Sequence, residues 1–84
     1  MPHNDYNDPE LRFPRLEVRV VKTDDDAFHV QVWKWIKPGV REPRPVINKK
    51  QAGSFADVTE VIRQLSKEHK IEIDPDDVEW PHDE

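Results

Sequence analysis

The sequence predicts an α+β fold: a two- or three-stranded antiparallel sheet packed against one amphipathic helix, with a short C-terminal clasp. Three observations carry this. Apolar residues alternate from Leu16 to Val20 and again from Phe28 to Val32, the period of half-buried strands. From Phe55 to Leu65 they recur instead at the spacing of one helical face. The chain has 84 residues, which leaves room for a single domain with one modest buried layer.

The first strand follows from Leu16, Val18 and Val20 on one side with Arg15, Glu17 and Arg19 on the other. After the acidic turn Asp24-Asp25-Asp26, Phe28, Val30 and Val32 alternate with His29, Gln31 and Trp33, so a second strand is expected over about 27–36. Aspartate tolerates the left-handed conformation, which suits a short loop without glycine. Keeping the apolar face inward sets Val20 opposite Phe28, Val18 opposite Val30 and Leu16 opposite Val32. On the other face this register places Arg19 across from His29, Arg15 across from Trp33 and Phe13 across from Trp35.

Lys37-Pro38-Gly39 breaks the second strand, and Pro43 and Pro45 hold the following segment extended. Val46 and Ile47 form a short third strand, necessarily at an edge beside so many prolines. Ser54 reads as a helix N-cap ahead of Phe55, Val58, Val61, Ile62 and Leu65, giving a helix over about 55–68. Ile71-Glu72-Ile73 alternates like a further edge strand. Asp74-Pro75 opens a single helical turn over 76–80, with Val78 and Trp80 pinning it to the body. The domain thus spans 13–80, between a flexible N-terminal tail of residues 1–12 and an acidic C-terminal tail of 81–84. The order strand, strand, possible third strand and Phe55-led helix is similar, in architecture only, to the small sheet-plus-helix DNA-binding domains that begin some phage integrases. This chain departs from them in lacking net basic charge.

Net charge is −5, unevenly spread: residues 1–33 carry −3, residues 34–50 carry +5 and residues 51–84 carry −7. Overall acidity argues against general affinity for duplex DNA, so any nucleic-acid role is local to the centre. A basic block of this kind marks a surface for an acidic partner, or an internal match to the acidic tail. The absence of cysteine excludes disulfides and thiolate chemistry and suits a reducing, cytoplasmic setting. No apolar run approaches the roughly 20 residues that cross a bilayer, and the N-terminus has no secretory pattern, so no membrane role is expected.

The candidate binding residues are Phe13, Arg15, Trp33, Lys34, Trp35, Lys37, Arg41, Arg44, Lys49 and Lys50. Two functions fit them. The first is a non-catalytic interaction module, binding a protein partner or a second copy through the edge strand and the basic hairpin. The second is a single-stranded nucleic-acid binder, with Phe13, Trp33 and Trp35 stacking on bases and the cations holding phosphates. Against the second stands the expectation that Ile71, Ile73, Val78 and Trp80 cover this face and make the two tryptophans partial core.

Other chemistry finds little support. Lys49-Lys50 ahead of the helix resembles an anion cradle but lacks the order of a phosphate loop. Asp74, Asp76, Asp77 and Glu79 lack the glycine and glutamate of a calcium loop, and Asp24, Asp25 and Asp26 form a crowded turn. The four histidines lack zinc spacing, and neither Ser54 nor Ser66 sits in a nucleophile elbow. The sequence therefore implies no metal, no cofactor and no enzyme.

Overall fold

The computed structural model describes residues 6–23 and 26–81. The outer parts of both expected tails, with His3 and His82, and Asp24 and Asp25 of the acidic turn lie outside the described residues. Among the described residues the fold is α+β, with one helix and a mixed sheet of five strands where the sequence predicts two or three antiparallel ones. In chain order these are β1 (Arg15–Lys22), β2 (Phe28–Lys37), β3 (Val40–Arg41), β4 (Ile47–Ala52), α1 (Phe55–His69) and β5 (Val78–Glu79). The sheet runs β3-β2-β1-β5, and β4 also pairs with β2, along its N-terminal half.

β1 and β2 pair antiparallel with Val20 opposite Val30, Val18 opposite Val32 and Arg15 opposite Trp35, two residues away from the expected register. The loop explains the shift. The Thr23 backbone N–H donates to the Ala27 carbonyl at 2.8 Å, and its hydroxyl donates to the same oxygen, which closes the hairpin later than a minimal turn. Asp26 takes the left-handed conformation at φ 59°. An even shift leaves each side chain on its expected face, so the core is unaffected.

Three strands were underspecified by periodicity. Gly39, at φ 75°, turns the chain so that Val40 and Arg41 fold back on the end of β2. The expected third strand starts at Ile47 rather than Val46, although the Val46 N–H donates to the Val32 carbonyl at 2.8 Å, and it continues to Ala52. Its pairing with β2 contains a bulge, two residues (Asn48 and Lys49) facing Gln31 alone. At the far edge, β5 lies parallel to β1, Val78 beside Val18, and makes the sheet mixed.

Leu16, Val18, Val20, Phe28, Val30, Val32 and Ala52 face Val58 and Leu65 of α1 to form the core. Each Val, Leu or Phe side chain so taken from water contributes roughly 1.5–3 kcal/mol. The helix begins at Ser54, whose hydroxyl accepts from the Asp57 N–H at 3.2 Å. It ends at Lys70, left-handed at φ 56°, whose N–H donates to the Ser66 carbonyl. Ile71-Glu72-Ile73 is not a strand: the Ile71 N–H and C=O are both bonded to Ser66, and Ile71 and Ile73 drop onto the core beside the helix. The helical turn after Asp74 is a 3-10 turn, Pro75–Asp77, that stops early because Asp77 is drawn into the interior and Val78 becomes extended.

Candidate interaction surface

Among the described residues, Ile71, Ile73 and Val78 pack on the helix side and so do not cover the other face of the sheet, which the C-terminal segment reaches through the Asp77 and Glu79 side chains on Arg15 and Arg19. Trp80 also stays away from it, meeting Phe55 edge-on at 5.6 Å between ring centres, while Phe55 in turn touches Phe28 at 4.7 Å. Strand alternation places Trp33, Trp35, Glu17 and Arg19 on this open face. What lies against them is the N-terminal segment. Tyr6 stacks on Trp35 with ring centres 4.8 Å apart and planes 7° from parallel. Its carbonyl accepts from the Gly39 N–H at 2.7 Å, and the Asn7 side chain sits against Gly39. Residues 6 and 7, which the sequence assigns to the tail, thus occupy one end of the sheet.

The rest of the face is a ladder of rings and cations. The Arg41 guanidinium lies 5.3 Å from the centre of Trp33 and 5.7 Å from that of Trp35. Arg19 sits 6.0 Å from Trp33 and is held by Glu79 at 3.0 Å. The Trp35 indole N–H donates to Glu17 at 2.9 Å, which fixes that ring. Exposed cation–π contacts of this kind are worth about 0.5–1 kcal/mol each.

Beneath Tyr6 lies a polar cluster in the protein interior. Arg15 and Asp77 are both buried; the guanidinium reaches the Asp77 carboxylate at 3.0–3.3 Å and Asp74 at 3.1 Å. The Tyr6 hydroxyl donates to Asp77 at 3.1 Å. Burial, then the Asp77 charge and hydrogen bond, push the Tyr6 phenol well above its ordinary value, with Glu17 adding and Arg15 opposing. Burial alone would lower the Arg15 guanidinium; its bonds to Asp77 and Asp74 and their charges outweigh that and raise it.

The predicted binding residues therefore separate. Trp33, Trp35 and Arg41 come together on the open face. Arg15 does not join them as a free cation, being buried against Asp77, and lies across from Trp35 rather than Trp33. Phe13 precedes β1 and faces a hollow of about 320 Å3 beside His69 and Ile71, not Trp35. Lys34 points to the helix side by alternation, and Lys37 is exposed at the end of β2. Arg44 is exposed in the connection, and Lys49 and Lys50 on β4. Tyr6 and Asp77 escaped the sequence reading. Tyr6 is a lone aromatic in a polar run, and Asp77 is indistinguishable by composition from Asp74 and Asp76.

The outer side of β4 forms a second feature. Among the described residues β4 pairs with β2 alone, and beside it a hollow of about 360 Å3 opens toward α1, lined by Ile47 and Lys50 and by Glu60, Val61, Gln64, Leu65 and Glu68. Charge is distributed accordingly. The carboxylates at the β5 edge, Asp74, Asp77 and Glu79, bind Arg15 and Arg19. None of Lys34, Lys37, Arg41, Arg44, Lys49 and Lys50 forms an ion pair among the described residues. Among these residues no group of three or more His, Cys, Asp or Glu is placed to hold a metal ion, and no helix is long and apolar enough to cross a membrane.

These features define a small α+β domain with one open sheet face and one basic edge. Compared with known proteins, the chain matches no family model, no curated protein and no solved structure.

Proposed function

We propose that the chain is a non-catalytic interaction module that binds an acidic protein partner along the outer edge built from β4 and the basic hairpin between Lys34 and Lys50. One observation carries this reading: the central cations are left without carboxylate partners among the described residues, although the chain has an excess of acidic groups. Carboxylates from a partner complete that edge electrostatically. A reducing, cytoplasmic setting goes with this proposal, since packing without cysteine holds the domain.

Capture from a cell extract tests it, with the immobilised chain compared to a Lys49→Glu, Lys50→Glu variant. Both positions are exposed, so the variant should fold normally. The expected result is a protein retained by the native chain and lost with the variant. Identical retention, or none, sinks the reading.

A second reading, single-stranded nucleic acid on the open face, is supported by Trp33 and Trp35 sharing that face with Arg19 and Arg41. It is weakened by the same contacts, because Tyr6 and the two arginines already lie against the rings a base would need.

A further inference from the structure

We infer that the outer edge of β4 accepts an incoming β-strand in which apolar residues alternate with Asp or Glu. The inference rests on the reading above and adds the conformation and the sequence pattern of the bound segment.

Among the described residues β4 has a ladder on one side only. Its other side presents N–H and C=O groups at strand spacing, and another extended backbone is the partner that meets them in register. A strand laid there continues the pleat of β4, so every second side chain points to the helix side of the sheet. That is where the hollow lies, with Ile47, Val61 and Leu65 as its apolar floor. Aliphatic residues at those positions bury themselves against it, and the volume of about 360 Å3 admits them without displacing α1.

The intervening side chains point to the opposite face. There the bulge sets Asn48 and Lys49 together opposite Gln31, and Arg41 lies farther along the same side of β2. Neither Lys49 nor Arg41 has a carboxylate partner among the described residues, so Asp or Glu at the alternate positions of the incoming strand supplies one. A second copy of this chain is the poorer occupant: pairing β4 with β4 brings Lys49 and Lys50 toward the same lysines. Lysines and a bulge are how edge strands refuse indiscriminate pairing, and an acidic strand reverses the sign of that refusal.

Two labelled synthetic peptides of about eight residues, the length of an ordinary strand, test this. One alternates Val with Glu, the other Val with Lys. Each is titrated into the full chain by fluorescence anisotropy, and amide hydrogen exchange is then measured on the saturated sample. The expected result is saturable binding of the Val/Glu peptide alone, with new protection at the amides of 47–52. Affinity should fall about tenfold with Lys49→Glu, through lost charge complementarity, and similarly with Gln64→Trp, which fills the hollow from an exposed helix position. Equal binding of both peptides, protection elsewhere, or no binding overturns the inference. If capture from extract still depends on Lys49 and Lys50 while neither peptide binds, strand addition falls and the basic-edge reading stands; if both fail, both fall.

Discussion

Arg15 and Asp77, 62 residues apart in the chain, meet as a buried ion pair with contacts of 3.0, 3.2 and 3.3 Å from two guanidinium nitrogens. The same guanidinium donates to the Arg12 carbonyl and to Asp74, and the same carboxylate accepts from Tyr6 and from the Asp74 backbone N–H. One pair thus ties the start of β1, the 3-10 turn and the N-terminal segment together. Desolvating two charges is costly, and the extra hydrogen bonds are what make such a pair tolerable. Its structural effect is positional: with Asp77 fixed on Arg15, Val78 and Glu79 are delivered alongside Val18 and Arg19 as β5.

Removing one partner leaves the other charged and buried. Asp77→Ala should therefore destabilise the fold by about 3–5 kcal/mol, read from urea unfolding. Arg15→Met combined with Asp77→Leu should cost clearly less than the two single changes added, because the double variant strands no charge. A loss below about 1 kcal/mol for Asp77→Ala would mean that water or a rearranged clasp solvates Arg15.

Tyr6 is the sole tyrosine, so its phenolate absorbance reports a single site. Burial, with the Asp77 charge and hydrogen bond, raises its folded pKa, and the folded state therefore favours the neutral phenol. The stability this contributes is fully present below the ordinary phenol value of about 10 and declines as pH rises above it. Absorbance and circular dichroism followed together at increasing pH should change in one step. A phenolate signal near pH 10 from a chain still folded, with Trp35 undisturbed, would show Tyr6 free of Asp77.

The helix, β1 and β2 were legible because burial on one face imprints a period on sequence, and Ser54 announced the helix start. The register was not, since a shift by two preserves every face, and the Thr23 to Ala27 hydrogen bonds that go with the observed choice leave no period in the sequence. β3 and β5, of two residues each, are too short for a period to exist. That Trp33 and Trp35 share a face was readable from strand spacing, whereas Arg41 reaches them through β3 and its place there was not. Tyr6 on Trp35 and Asp77 on Arg15 were not, because such contacts depend on where distant chain ends pass, which composition does not encode. Arg15 is the instructive failure: a cation among aromatics in sequence, it is spent on an internal carboxylate in space.

Gly39 tests whether the N-terminal segment is held by the turn after β2. Its positive φ favours glycine, and a Cβ there would meet the Asn7 side-chain oxygen at 2.9 Å. Gly39→Ala should cost about 1–2 kcal/mol from the left-handed backbone, while Asn at this position should cost less. Loss of protection at the Gly39 amide, which donates to Tyr6, should accompany the change. Unchanged stability in both variants would mean that this turn can take another conformation at no cost.

The open face makes a prediction about nucleic acid that separates the two functional readings. Arg41 lies against both indoles of the face, Tyr6 stacks on Trp35, and Arg15 is unavailable to phosphate. A base must displace an existing ring or guanidinium contact to stack, which offsets part of the roughly 1–3 kcal/mol that stacking offers. Titration with a mixed-sequence single-stranded oligonucleotide should therefore leave tryptophan fluorescence unchanged at low salt, and Trp33→Ala should not alter that result. Saturable quenching that added salt reverses would instead make phosphate neutralisation the dominant contact. The site would then move from the β4 edge to Trp33, Arg19 and Arg41, and the edge lysines would act only as steering charge.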